Sequence, residues 1–189
     1  MPNGSDTSKR HPHLGLREIV YENQYQQVYR RVADFGDFVK EYFVTHYGTR
    51  AALVVVRGND ILLARQYRLL IDGLSWEILG GKVEEGETPE AAAVRECVEE
   101  TGVRCRDLNP VIHFHPDLDT VYNPTYVFYS NNLIEAADRK DGREAERPVW
   151  IPLSRCIEMV FEKEIVDSLS IISLLAYQAL KASEALQRT

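Results

Sequence analysis

The residues of this chain best suited to chemistry are three glutamates, Glu96, Glu99 and Glu100, at i, i+3 and i+4. That spacing gathers three carboxylates on one face if the segment is helical. Thr88 suits an N-cap, Pro89 the first helical position, and Gly102 the position just past the end. A helix is therefore expected from Pro89 to about Thr101. At 100° per residue, Ala91, Val94, Cys97, Val98 and Thr101 fall on one side and the glutamates on the other. Like charges so placed repel by roughly 0.2–0.5 kcal/mol per pair. A solvated acidic face is one reading of this pattern. A seat for a hard divalent cation, Mg²⁺ or Mn²⁺, is the other, because such ions take clustered oxygen ligands and remove the repulsion.

The surrounding residues sharpen the second reading. A turn, Gly80-Gly81, precedes the helix, Glu87 stands just before it, and Arg95 lies on its flank. Written out, Gly81 is followed by five residues, Glu87, seven residues, and Arg95-Glu96-Cys97-Val98-Glu99-Glu100-Thr101-Gly102-Val103. This segment resembles the Nudix hydrolase signature G-x5-E-x7-R-E-U-x-E-E-x-G-U, where U is a bulky aliphatic residue. Every fixed Gly, Glu and Arg position matches, and Cys97 departs from the aliphatic position as a small buried hydrophobe. The resemblance implies that Glu96 and Glu100 are the principal metal ligands, with Glu99 a further ligand or helper. It also implies a Glu87–Arg95 pair that fixes the loop on the helix, and a backbone carbonyl of Gly80 or Gly81 in the metal shell. The implied fold is an α/β/α sandwich with a mixed sheet, and the implied reaction is hydrolysis of a nucleoside diphosphate linked to another group.

The flanks bear on the substrate. Ile61 to Arg68 is similar to the L-L-x-x-Q-x-R segment of ADP-ribose and nucleotide-sugar pyrophosphatases. Trp76-Glu77-Ile78-Leu79-Gly80-Gly81 is similar to their W-E-x-P-A-G lead, with Leu79 and Gly80 in place of Pro and Ala. The resemblance implies ADP-ribose cleaved to AMP and ribose 5-phosphate. Another nucleotide sugar, a dinucleotide, a nucleoside triphosphate, or a non-catalytic nucleotide sensor are the alternatives. Arg68 pairs with a phosphate or ribose, or is a surface arginine. Trp76 stacks on a base or packs in the core. Glu77 bonds to the substrate or is an exposed strand-end carboxylate. His113 and His115 share a strand face; one of them lines the pocket, or the pair ligates a metal, or they take no part. Glu144 and Glu146 lie in a charged loop where related enzymes carry a mobile carboxylate that activates water or binds metal; one of them does so here, with Glu146 the favoured candidate, or the loop is simply solvated.

Several elements must position these residues. Residues 1–16 are polar and read as a flexible tail. Residues 17–50 are β-rich, and residues 51–189 form the Nudix-like domain. Ala51 to Val56 is a continuous apolar run, as in a strand buried on both faces, and 51–66 reads as a hairpin around Gly58-Asn59-Asp60. Strands are expected near 109–115, 124–132 and 149–152, and helices near 153–162 and 165–184. The last helix carries an apolar stripe of Ile165, Leu169, Ile172, Leu175 and Ala176. Eight aromatic residues from Tyr21 to Tyr47 favour pairing of the β-rich region with a second subunit, hence a homodimer.

Composition sets the outer limits. The 189 residues carry 22 basic and 29 acidic side chains, a net charge of −7, which argues against nucleic acid as a partner. An anionic substrate remains compatible if cations bridge it to the acidic site. Cys97, Cys105 and Cys156 follow neither a C-x-x-C nor a zinc pattern, and read as reduced thiols of a cytoplasmic protein. No apolar stretch approaches the ~20 residues of a membrane span, and no signal peptide is evident.

Overall fold

The computed structural model describes residues 11–135 and 147–187. In chain order the strands begin with β1 (His13–Leu14), β2 (Glu18–Glu22), β3 (Gln27–Asp34), β4 (Val39–His46) and β5 (Arg50–Arg57). They continue with β6 (Asp60–Arg68), β7 (Gly73–Glu77), β8 (Leu79–Lys82), β9 (Val103–Arg106) and β10 (Asn109–Phe114). The last are β11 (Val121–Tyr122), β12 (Thr125–Ser130), β13 (Asn132–Glu135) and β14 (Val149–Pro152). The helices are α1 (Pro89–Thr101), α2 (Leu153–Phe161) and α3 (Ser168–Leu186). None is long and apolar enough to cross a membrane.

Contacts divide the described chain into two units. One holds the residues up to Gly48 together with Asp117–Asn123, and the other begins at Thr49 and holds the rest. In the first, β1, β2, β3, β4 and β11 form a sheet around β3. His13 and Leu14, expected in a flexible tail, pair instead with Asp34 and Ala33. Tyr29 and Ala33 are its buried apolar residues, while all five residues of β2 are exposed.

The second unit is built on β5, whose Ala51 to Val56 are all buried. It pairs with β12 in parallel and with β8 antiparallel. The expected 51–66 hairpin holds only at its tip. β5 and β6 pair at Val56↔Ile61 and Arg57↔Asp60, then diverge, and β7 pairs with β6 while β8 pairs with β5. Alternation along β5 and β6 sends Ala51, Leu53, Val55 and Leu62 to one face, where Ala92, Ala93 and Cys97 of α1 cover them. Ala52, Val54, Ile61 and Leu63 face the other way, onto Cys156 and Met159 of α2 and Leu169, Leu174 and Tyr177 of α3. Helices on both faces of a mixed sheet make the α/β/α sandwich.

The capping of α1 follows its residues. Thr88 Oγ1 accepts the Ala91 N–H at 3.2 Å, and Gly102, at φ 73°, donates its N–H to the Val98 carbonyl. The buried arc of α1 differs from the expected one. Ala92, Ala93 and Cys97 are buried, Ala91 is exposed, and Val94 and Val98 are half-buried. The small alanines let the helix lie close to the sheet, which also turns Glu100 toward the interior. α3 begins at Ser168, because Asp167 accepts the Ser170 N–H as its cap, while Ile165 donates to the Met159 carbonyl that closes α2. Its buried face runs through Leu169, Ser170, Ser173, Leu174 and Tyr177, rotated from the expected Ile172 and Leu175 stripe.

Candidate active site

β8 brings Gly80 and Gly81 beside the start of β5, pairing them with Ala52 and Ala51. A Cβ on Gly81 would lie 2.3 Å from the carboxyl carbon of Glu96, so the glycine leaves the space the carboxylate occupies. A Cβ on Gly80 would lie 2.5 Å from the Ala51 carbonyl oxygen. Arg95 ties the loop before α1 to the helix. Its Nε and Nη2 donate to the two oxygens of Glu87 at 3.0 Å each, and Nη2 also reaches the Lys82 carbonyl at 2.8 Å. The bidentate bond holds the Glu87 carboxyl below the usual carboxylate range and raises the guanidinium. Nη1 donates to Glu96 Oε1 at 2.7 Å and lies 3.6 Å from Glu99 Oε2. The Glu87–Arg95 pair, Gly81 beneath Glu96, and Gly102 at the helix end thus stand together as one frame.

Glu100 is the unusual member. Gln66 of β6 donates Nε2–H to its Oε1 at 3.0 Å, and its Oε2 is buried with no hydrogen-bond partner. Burial pushes its carboxyl up to about 7, assisted by the charges of Glu96 and Glu77 and opposed by the Gln66 bond and by the nearby Gly80 backbone N–H, which falls short of hydrogen-bond geometry to Oε2. A buried acceptor without a donor is costly, and a cation beside it removes that cost. The residues therefore fit a divalent metal in donor chemistry: hard carboxylate oxygens, one of them unsatisfied, with room kept by Gly81. Among the described residues no three His, Cys, Asp or Glu side chains converge on one point. Glu96 is turned onto Arg95 and Glu100 onto Gln66. Glu96, Glu99 and Glu100 would hold the ion after a rotation of those side chains.

Gln66 and Arg68 share one face of β6, where Gln66 lies across from Ser75 of the paired β7 and Arg68 across from Gly73, while Glu77 lies across from Ala64. Arg68 donates Nε–H to Glu77 Oε1 at 2.7 Å, and its Nη2 contacts Oε2. Glu77, expected as a substrate contact or an exposed carboxylate, is only 4% exposed, with both oxygens engaged by Arg68. A groove of about 390 Å³ beside this pair is lined by Leu69, Leu70, Ser75 and Asp167 among others. Trp76, one residue from Glu77, points to the opposite face, packs against the core under α2 and α3, and has the Arg65 guanidinium 5.2 Å from its ring centre. The structure does not bring it together with the glutamates. His113 stacks on Tyr126 at 4.3 Å and on His115 edgewise at 5.3 Å, both histidines being exposed. Glu144 and Glu146 lie outside the described residues.

The NUDIX domain model matches residues 47–167, which span β5, the glycine pair, α1 and α2. The chain belongs to the Nudix family. It is 31% identical over 170 residues to the CMP-5'-(N-acetyl-N-hydroxy-3-aminopropyl)phosphonate hydrolase of Streptomyces rubellomurinus, covering 86% of this chain and 81% of the relative. It is 32% identical to the methanol dehydrogenase activator of Bacillus methanolicus, and 29% identical to the ADP-ribose pyrophosphatase of Bacillus subtilis. Each of these two alignments covers 80% of this chain and 82% of the relative. A solved structure described as an ADP compounds hydrolase superposes with a TM-score of 0.80 at 16% identity, over 92% of this chain and 96% of its own, and so shares the fold. This Nudix protein is a hydrolase of a nucleoside diphosphate linked to another group, and Nudix enzymes in general use divalent metal ions.

Gln66 is the site residue whose role sequence reasoning missed. It lies in the flank Ile61 to Arg68, but its partner is 34 residues away on another element. The signal was its period-2 relation to Arg68 on a strand leading from the core.

Proposed function

We propose that this Nudix hydrolase cleaves ADP-ribose with water to AMP and ribose 5-phosphate, with Mg²⁺ or Mn²⁺ on Glu96, Glu99 and Glu100 and the Gly80 carbonyl in the metal shell. The observation that carries the reading is the joining of the substrate-bearing flank to the metal helix, through the Gln66–Glu100 hydrogen bond. Relatives named ADP-ribose pyrophosphatase, at 29% and 27% identity over about four-fifths of the chain, support the base and sugar. The ion supplies charge neutralisation and a more acidic water. The chain's own part is positioning and electrostatics. Arg68, released from Glu77, meets a phosphate, and Gln66 orients Glu100. Glu146, or Glu144 beside it, takes the proton from the attacking water, since helix carboxylates engaged by metal make poor bases. We place the enzyme in the cytoplasm, in keeping with three free buried thiols, as a homodimer formed through its N-terminal sheet.

A second reading has its own support. The phosphonate hydrolase relative, named for a CMP-linked substrate, favours a cytidylyl compound. A panel of ADP-ribose, GDP-mannose, a CMP-linked phosphonate, a dinucleotide and nucleoside triphosphates, assayed with Mg²⁺ and product identification, decides between them. ADP-ribose is expected to give the highest kcat/KM with AMP as product. A triphosphate or the cytidylyl compound in first place overturns the assignment, and no turnover at all would favour a nucleotide-sensing module. For the water-activating residue, Glu144→Gln and Glu146→Gln are compared singly and together. One should lower kcat by ~10²-fold or more with KM largely kept. Near-normal kcat in both and in the double variant places the base elsewhere.

A further inference from the structure

Ile78 stands between β7 and β8, at the point where the chain leaves β6 and joins β5. Its N–H donates at 3.0 Å to Oγ of Ser170, 92 positions away in the first turn of α3. Ser170 is fully buried. Its hydroxyl donates to Asp167 Oδ2 at 2.7 Å, and its backbone N–H donates to the same oxygen at 2.8 Å. The carboxylate therefore fixes the hydroxyl proton toward Asp167 and leaves a lone pair toward Ile78. A buried hydroxyl is retained in a core at the cost of desolvation, and here that cost is offset by the two hydrogen bonds it makes, one accepted from Ile78 and one donated to Asp167.

The joint that Ser170 holds separates two halves of the site. Immediately before Ile78, Glu77 holds Arg68. Three residues after it, Gly81 lies beneath the carboxylate of Glu96. We infer that Ser170, oriented by Asp167, is a positioning residue for hydrolysis, setting the placement of the Arg68–Glu77 pair relative to the Gly81–Glu96 seat. This rests on the reading of those groups as the hydrolytic site. β8 is tied to β5 and β7 to β6, and those strands diverge beyond their shared tip, so the ladders leave the joint to be fixed by something outside them. Ser170 is the group that bonds it.

The test compares Ser170→Ala, Asp167→Ala, Asp167→Asn and the Ser170→Ala/Asp167→Ala double variant with the wild type. Each is assayed on the diphosphate the wild type cleaves best, at saturating Mg²⁺ and well below its thermal midpoint. Hydrogen exchange of the Ile78 amide is followed by NMR alongside. Ser170→Ala is expected to lower kcat by ~10-fold or more with KM within ~3-fold, since misplacement of a reacting group acts mainly on the transition state. Ile78 exchange should accelerate. Asp167→Ala should shift both readouts in the same direction, and the double variant should be no worse than Ser170→Ala alone, as for two members of one relay. Asp167→Asn keeps an acceptor oxygen and should recover most of the kcat lost in Asp167→Ala. A kcat within ~2-fold of wild type in Ser170→Ala, a loss confined to KM, or additive effects in the double variant overturns the assignment. If Ser170→Ala does not fold, Ser170→Cys, which keeps the bulk and weakens the acceptor, is held to the same criteria. Absence of wild-type turnover on any phosphoanhydride removes the hydrolase reading and this inference with it. Normal wild-type turnover with unchanged kcat in the variant removes the positioning role alone.

Discussion

Glu100 joins α1 to the strand that carries Gln66, and its state governs how the candidate site behaves with pH. Burial raises its carboxyl from an ordinary 4.5 to about 7. A raised folded-state value means the folded chain holds a proton that the unfolded chain has released. The stability this contributes is present below about pH 4.5 and is lost as pH rises through about 7. Metal-free protein is therefore expected to melt lower at pH 8 than at pH 5, and Glu100→Gln should flatten that part of the difference. Calorimetry in chelator at the two pH values checks it, and identical pH dependence in both proteins would contradict it. Glu100→Gln keeps the Gln66 contact through its amide oxygen but removes a charged ligand. Turnover should fall ~10²-fold or more, while metal-free stability at pH 8 stays equal or rises, because a buried charge near Glu96 and Glu77 is gone. Wild-type turnover in this variant at saturating Mg²⁺ would show that Glu100 is no ligand.

At the scale of elements, β8 is held between a strand and a helix, and its two glycines meet different neighbours. Gly80 faces backbone: its Cβ would lie 2.5 Å from the Ala51 carbonyl oxygen and 2.8 Å from the Ala52 Cα. Gly81 faces the far end of a side chain, the Glu96 carboxylate. Backbone of a central strand cannot give way cheaply, whereas a glutamate tip can rotate. Gly80→Ala is thus expected to cost about 1–3 kcal/mol or more of stability, read as a lowered Tm. Gly81→Ala should leave Tm near wild type and instead raise the metal concentration for half-maximal activity by ~10-fold or more, by displacing Glu96. The reverse pattern, with Gly81→Ala unfolding and Gly80→Ala merely weakening metal activation, would contradict this account of β8. The ladder also explains why Leu79 and Gly80 serve where similar sequences carry Pro and Ala. Leu79 is fully buried against Leu53 in β5 and fills the core that α1 covers.

At the scale of the whole molecule, the N-terminal sheet is the part least satisfied by its own packing. Ile19, Val20, Tyr21, Phe38, Val39 and Phe43 are all about half exposed. A small sheet with so much apolar surface in water is unusual for a monomer. A homodimer is expected, with twice the 21.6 kDa chain mass by sedimentation at micromolar concentration. Phe43→Asp should shift the mass toward that of one chain. A wild-type monomer with full activity would overturn the expectation. The net charge of −7 does not hinder an anionic substrate if metal ions lie between it and the carboxylates.

The sequence by itself determined what is local. Caps at Thr88 and Gly102 delimit α1, and the spacing of its glutamates puts them on one face. The pairing of Arg95 with Glu87, eight positions apart, is implied by the resemblance to the Nudix signature and not by spacing alone. The apolar run 51–56 was readable as a central strand because a strand buried on both faces shows no alternation. Only the tertiary structure decided which arc of each helix turns inward. Ala92 and Ala93 approach the sheet where the wheel favoured Val94 and Val98, and Ser170 and Ser173 of α3 are buried where Ile172 and Leu175 were favoured. It likewise decided that Gln66 meets Glu100, that Arg68 holds Glu77, and that Ile78 hangs from Ser170. Periodicity fixes relations within one element, whose geometry is set by its own backbone. Contacts between elements depend on how the surfaces close against each other, and no spacing along the chain encodes that.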